Sequence, residues 1–447
     1  MGEVCPEPAI SPVGPSLYRD AVGHLDADDA RRRYLVLVAL RWLPVGLLIP
    51  IFVLLPLSRG LSLTEIGLVF AVQGLVVLFL ELPTGGLADA LGRRPVLILS
   101  SLFALTSLSV LYVADSVGIF MVAMALQGIY RALDSGPLEA WYVDATLAAD
   151  PDARIEHGLS RGSTALSLAI AVGAISSGGL VALDPIAGLD PLALPVLVAI
   201  GAGVVNLGAV IALMTEARTA RGVPAIAASV HAVPGVIGDG VRLLRSSRVL
   251  SALVAVELFW GFSMVAFESL FPIRLSELVG GPEPAAAVMG PVSSAGWFAS
   301  AGGAALISIA ASRIGVARSA AALRVVQGVT ILGMGVLAGA VGVIVAYLAC
   351  YAAHGASNPM HTALLHREVD GAHRTTVLSM NSMMAQPAGA VGAIVLAAIA
   401  DGASVSTAMV VAAVACAAAA PLYLPAWRAE RRRRPTPGPG TPLPTDS

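Results

Sequence analysis

Nine ionisable side chains fall inside long apolar runs of this chain: Arg41, Glu81, Arg131, Asp134, Glu139, Glu257, Glu268, His354 and His361. A charge in hydrocarbon is costly, so by default such groups face a cavity or one another and mark binding or proton-carrying positions. Arg131 and Asp134 stand three residues apart and share a helix face, which predicts a local ion pair. Glu139 falls about 140° round the helix from Asp134 and is expected to stay outside that pair. Glu81 and Arg41 have similar expected depths and are read as a second, structural pair. Glu257 comes nearly three turns into its run, with Trp260 one turn further on. Removal from water favours the protonated carboxyl, so Asp134 and Glu257 are the candidates for carrying a proton or holding a cationic substrate. Glu268 is expected near the outer surface, in water.

His354 and His361 share a face but sit about 10 Å apart along a helix axis, too far to chelate one metal. His361 reads as a packing residue or as a titratable cavity group. Trp42, Trp260, Trp297 and Phe298 offer aromatic surface for a lipophilic or cationic guest, or simply for packing. Cys5, Cys350 and Cys416 are too scattered for a disulfide framework or a metal site, and no metal or other cofactor is expected.

The elements that must carry these groups are membrane helices. The 447 residues have a mean hydropathy of +0.82, 57% hydrophobic and only 13% charged residues. A soluble protein needs roughly twice that charge. No apolar run precedes Tyr34, so no cleaved signal peptide is expected. At about 20 apolar residues per crossing, twelve spans are predicted near 35–57, 65–84, 95–114, 117–140, 160–182, 193–214, 249–272, 286–310, 319–339, 341–364, 375–399 and 404–426.

All 27 basic residues are arginine. Arg41 and Arg131 are placed in spans and Arg59 and Arg274 in the first and seventh connections; the other 23 are assigned to the termini, the central linker and alternate loops. By the positive-inside rule both termini are cytoplasmic, in a multi-pass protein of the inner (plasma) membrane.

Residues 216–248 are polar and divide six spans from six. The segment from Val233 to Arg248 reads as a basic amphipathic surface helix or a plain linker. The halves also echo each other: "SGPLEAWYVD" at 135–144 aligns without gaps with "SNPMHTALLH" at 357–366, in the fourth span of each. Glu139 then stands opposite His361, and Pro137 opposite Pro359. The expected fold class is an all-α membrane protein of twelve transmembrane helices in two pseudo-symmetric six-helix halves.

After the second span comes "GGLADALGRRPVL", residues 85–97. Gly85, Leu87, Ala88, Asp89, Gly92, Arg93, Arg94 and Leu97 resemble the loop signature of the major facilitator superfamily, with Ala90 where an arginine is usual. "ASRIGVARSAAAL" resembles the degenerate copy in the second half, with Ser312 in place of the aspartate. The resemblance covers roughly residues 34–427. It implies an N-terminal segment at 1–33, a six-helix half at 34–215, a linker at 216–248, a second half at 249–427 and a tail at 428–447. The tail is disordered by composition.

The resemblance further implies that the first and fourth spans of each half line a central cavity, and that Asp89, Arg93 and Asp144 latch the cytoplasmic side when it closes. "LELPTGGLAD" and "RALDSGPLEAWYVD" look most like bacterial drug-efflux-type members, although Met124 stands where their fourth-span arginine would, and "AISSGG" keeps only Gly178 and Gly179 of the antiporter motif. The function implied is proton-coupled efflux of a small amphipathic or drug-like compound. The alternative is an importer or facilitator of a polar metabolite on the same fold. The expected partners are a small-molecule substrate, protons and the lipid bilayer, with no nucleic acid; the expected state is a monomer and not an enzyme.

Overall fold

The computed structural model describes residues 25–216, 242–369 and 374–433, with the isolated positions 235 and 238. The first half contains α1 (Ala27–Leu48), α2 (Leu54–Ser58), α3 (Leu63–Leu91), α4 (Arg93–Val113), α5 (Val117–Asp134), α6 (Pro137–Ala149), α7 (Ile155–Leu183) and α8 (Leu194–Leu213). The second contains α9 (Arg248–Val265), α10 (Phe271–Val279), α11 (Pro282–Ile314), α12 (Val316–Val336), α13 (Ala340–Glu368), α14 (Arg374–Gly402), α15 (Val405–Ala418) and α16 (Leu424–Arg433). Eleven helical segments among the described residues are long and apolar enough to cross a membrane. The remaining pass begins in α1, whose polar start and interruption at residues 49–53 leave no uninterrupted apolar helix of crossing length. Of the predicted surface helix at 233–248, residues 242–246 are helical and most of the rest lies outside the described residues.

Besides the first pass, two others with candidate site residues depart from regular helix. The fourth is predicted as continuous from 117 to 140 but breaks between α5 and α6. Gly136 adopts φ +94°, where a side chain is disfavoured, and Pro137 then starts α6 without needing an amide donor. The tenth pass carries Ser357-Asn358-Pro359 at the aligned place and stays one helix, α13. Glycine in one repeat and asparagine in the other accompany this difference. The seventh pass is interrupted by a π-helical turn, Ala266–Leu270, between α9 and α10. Such turns are frequent at functional sites.

Helix ends are capped by carboxylates. Ser62 and Glu65 form a reciprocal capping box at the start of α3. The Glu216 carboxylate accepts the amides of Arg93 (2.7 Å) and Arg94 (2.9 Å) at the start of α4. In the other half Glu430 accepts the amides of Val316 (3.2 Å) and Ala317 (3.3 Å) at the start of α12. Gly92 and Gly315, with φ +95° and +90°, turn the chain immediately before these helices. The partial positive charge of a helix N-terminus favours an anion there.

The apolar core divides with depth. One buried cluster draws residues from both halves, Leu54 and Phe120 beside Phe271 and Cys350. Two further clusters each stay within a half: Tyr34, Trp141 and Tyr142 in the first, Leu250, Leu364 and Tyr423 in the second. The shared cluster lies at the end away from the termini. There the Asp401 carboxylate accepts the Leu63 (3.1 Å) and Thr64 (2.6 Å) amides, and Ser294 Oγ donates to the Ala171 carbonyl at 2.8 Å. A Cβ placed on Gly178 would meet the backbone of Ala287 and Gly290, so α7 and α11 touch backbone to backbone. Toward the termini the two halves have separate cores, divided by a cleft.

Candidate functional site

In the first half, α1 and α5 bring Arg41 against Asp134. The guanidinium forms an ion pair with the Asp134 carboxylate, and Nη2 also donates to the Asp134 carbonyl at 3.1 Å. That carbonyl is free for a side chain because α5 ends at Asp134. Asp134 is buried, whereas Arg131 is exposed one turn earlier. The expected pairs therefore exchange partners: Arg131 is not bonded to Asp134, and Arg41 is not the partner of Glu81. Arg131 lies within electrostatic range of Glu81 and Glu268 instead. Spacing along one helix gave a shared face, but the break after Asp134 and the packing of α1 decided which cation reached the acid. Leaving Arg131 toward open space also avoids desolvating a second guanidinium.

The pair borders a mostly apolar cavity of about 40 Å³, to which Tyr130, Gln127 and Asn206 add polar groups. In front of it Glu139, exposed in the first turn of α6, falls within electrostatic range of both Arg41 and Asp134. Glu139 is thus nearer the pair than its helical angle predicted, because the left-handed turn at Gly136 resets the helix phase. A second cavity, of about 380 Å³, opens beside Glu139 between α1, α6 and α7.

In the second half, Glu257 on α9 meets His361 on α13, with Oε1 at 3.2 Å from Nε2. The same ring nitrogen lies 3.0 Å from Asn381 Oδ1, and Nδ1 lies 3.0 Å from the Tyr423 hydroxyl. With its proton on Nε2, a neutral His361 donates toward Glu257 and Asn381 and accepts from Tyr423. Beyond Tyr423 stands Arg324, 3% exposed, whose Nη1 donates to Gln327 Oε1 at 3.0 Å. Glu257 is the carboxylate within electrostatic range of that buried cation. His361 is therefore the centre of a polar network rather than a packing residue.

Sequence reasoning missed Arg324, assigned with the loop arginines. Its signal was present: it lies inside the predicted ninth span, in register with Ser101 when Gly315 is set against Gly92.

Glu268 keeps the exposed surface expected of it, but its neighbours were not foreseen. It sits on the π turn, retaining exposed surface although protein surrounds it, and it neighbours Tyr347 and Tyr351 as well as Arg131. An aromatic group adjoins it: Trp260 stacks on His354 at 5.6 Å, and Phe267 meets Tyr351 edge-on at 5.6 Å. Trp297 touches Tyr351 at 6.4 Å, and Phe298 is exposed. His354 and His361 serve different surroundings, and no metal-holding group of His, Cys, Asp and Glu occurs among the described residues.

At the terminal side Arg93 forms an ion pair with Asp144 and donates to the Ala140 carbonyl at 2.7 Å. Arg94 Nη2 donates to the Ile211 carbonyl at 2.7 Å. Asp89 and Gly85 belong to α3, but their side-chain surroundings lie outside the described residues. Glu216, not singled out in the sequence, joins Gly92 and the two arginine amides to the end of α8.

Comparison with known proteins gives a consistent picture. The profile of the Major Facilitator Superfamily matches residues 34–356. An uncharacterized MFS-type transporter, YxaM, of Bacillus subtilis (strain 168) is 30% identical over 146 residues, which are 33% of this chain and 36% of that protein. The match thus spans about a third of the relative's length.

Among solved structures, the nucleoside transporter NupG superposes with a TM-score of 0.74 at 12% identity, over 89% of this chain and 99% of its own. A bacterial homolog of the human lysosomal transporter Spinster, in an inward-facing and occupied conformation, gives 0.70 at 12% identity over 91% and 98%. A structure from work on proton dependent oligopeptide transporters gives 0.69 at 12% over 91% and 99%. At such identities the likeness establishes the fold alone.

Proposed function

Because the chain belongs to the Major Facilitator Superfamily, we propose that it is a secondary transporter that exports a small amphipathic compound by alternating access, driven by proton entry. The family and the fold are those of membrane transporters. The observation that carries the finer reading is the buried acid in each half, joined to a base across the first and fourth passes: Asp134 with Arg41, Glu257 with His361. A buried carboxylate that exchanges a base partner for a proton changes the charge of the cleft wall, which can favour one arrangement of the halves over the other.

In this reading both termini are cytoplasmic in the inner membrane, and the transporter acts as a monomer. Arg93, Arg94, Asp144 and Glu216, together with Gly85, Asp89 and Gly92, form the cytoplasmic gate motif. Export driven by proton entry makes it an antiporter, and a part in multidrug resistance belongs to the same proposal.

The test is substrate-driven proton flux in proteoliposomes. Glu257→Gln is expected to abolish flux and Asp134→Asn to reduce it at least tenfold; full flux in both variants overturns the assignment of these carriers. A second reading, an importer or facilitator of a polar metabolite, is favoured by the polar cluster of Arg131, Glu81 and Glu268. Counterflow of labelled solutes with and without a pH gradient separates the two.

A further inference from the structure

We propose that the cavity beside Glu139 is a binding pocket for an organic monocation with an apolar or aromatic body, which specifies the substrate class of the transport reading and rests on it. The cavity is half-open and about 380 Å³, a size that admits a small organic molecule. Its walls come from three helices: Tyr34, Val38 and Trp42 on α1, Val143 on α6, and Leu159 and Leu166 on α7. The aromatic edge is held rigid, since Tyr34 stacks on Tyr142 at 4.5 Å and the Arg41 guanidinium covers Trp42 at 5.2 Å. Among these apolar walls Glu139 contributes an exposed carboxylate.

Charge balance gives the sign of the guest. Among the described residues Arg41 is the guanidinium within electrostatic range of Glu139, and Asp134 holds it by direct contact. Glu139 lies within its range, so one cation faces two carboxylates and the pocket keeps a surplus negative charge. The interior as a whole leans the same way: Arg131 stands near two acids, Glu81 and Glu268, whereas Arg324 and Glu257 balance in the second half. An anionic guest would meet this surplus and gains no unpaired arginine at the pocket. A cation gains Glu139, and aromatic rings at the wall favour a diffuse charge over a hydrated point charge. The guest also stabilises Arg41 in its contact with Asp134 by repelling it from the pocket, which links binding in the cleft to the buried acid.

The experiment uses the purified full-length protein in detergent, with ethidium as the cationic probe and Nile red as an uncharged dye of comparable size, both read by fluorescence. Glu139→Gln is expected to weaken ethidium at least tenfold and to change Nile red less than twofold. Leu166→Trp, which fills the pocket from α7, is expected to weaken both dyes. Glu283→Gln, outside the pocket in the first turn of α11, is expected to leave ethidium within threefold. Melting curves of each variant check the fold, and Glu139→Asp, which keeps the charge, is expected to retain most binding.

Failure of the wild-type protein to bind ethidium, equal binding by Glu139→Gln, or no effect of Leu166→Trp overturns the pocket. If ethidium fails while another solute still drives proton flux that depends on Glu257, the transport reading stands and only the cation pocket falls. If cation binding follows Glu139 but no solute drives proton flux, the pocket stands and the coupling reading falls.

Discussion

The two halves each bury one carboxylate against a base, but they do so in opposite ways. In the first half the cation sits on the first pass and the acid on the fourth, in direct contact. In the second half the acid sits on the first pass of the repeat, and His361 and Tyr423 stand between it and the buried cation Arg324. An arginine does not release its proton in a protein. Asp134 can therefore change charge only if Arg41 moves away, whereas Glu257 can exchange a proton through His361 with little movement of the helices. The first arrangement is a mechanical contact and the second a titratable relay.

The largest effect that tests this contrast is on stability. Asp134→Ala leaves Arg41 buried without its partner and is expected to cost about 3–5 kcal/mol, measured by denaturation of the purified protein, while replacing Arg41 and Asp134 together by leucine recovers most of the loss. Glu257→Gln keeps shape and hydrogen bonding and is expected to cost about 1 kcal/mol. Equal losses in Asp134→Ala and Glu257→Gln would remove the distinction.

A smaller effect separates the relay from its mirror. Tyr423→Phe, which deletes the hydroxyl between His361 and Arg324, is expected to cost about 1 kcal/mol. It should also slow proton flux in proteoliposomes more than Tyr130→Phe does in the first half. The smallest expected effects concern the two helix caps, where the halves are alike: Glu216→Gln and Glu430→Gln should each lower stability by about 0.3–1 kcal/mol, nearly equally in thermal melting. A large difference between them would extend the asymmetry to the helix ends.

Much of the architecture was legible because crossing the membrane constrains length and polarity together. Twelve apolar stretches, the central polar break and the glycine-arginine loop could be read directly, and the helices fall where those stretches lie. The site was legible as a set of residues and not as a set of contacts. Helical angle placed Asp134 with Arg131 and apart from Glu139, but one left-handed glycine breaks the phase on which that angle depended. Depth was harder still. Glu268 is exposed as expected but lies on a π turn that spacing did not show, and Arg324 was taken for a loop charge. Neither a partner on another helix nor a hydrated cleft leaves a mark in local spacing.

The backbone contact between Gly178 and Gly290 concerns rates as much as packing. A seam built from side chains must reset rotamers each time its two faces slide, and every reset adds to the barrier. Here main chain lies on main chain at the end where the halves share one core. In the proposed alternating-access cycle this joint slides without resetting rotamers, so Gly178→Ala is expected to slow transport as well as disturb packing.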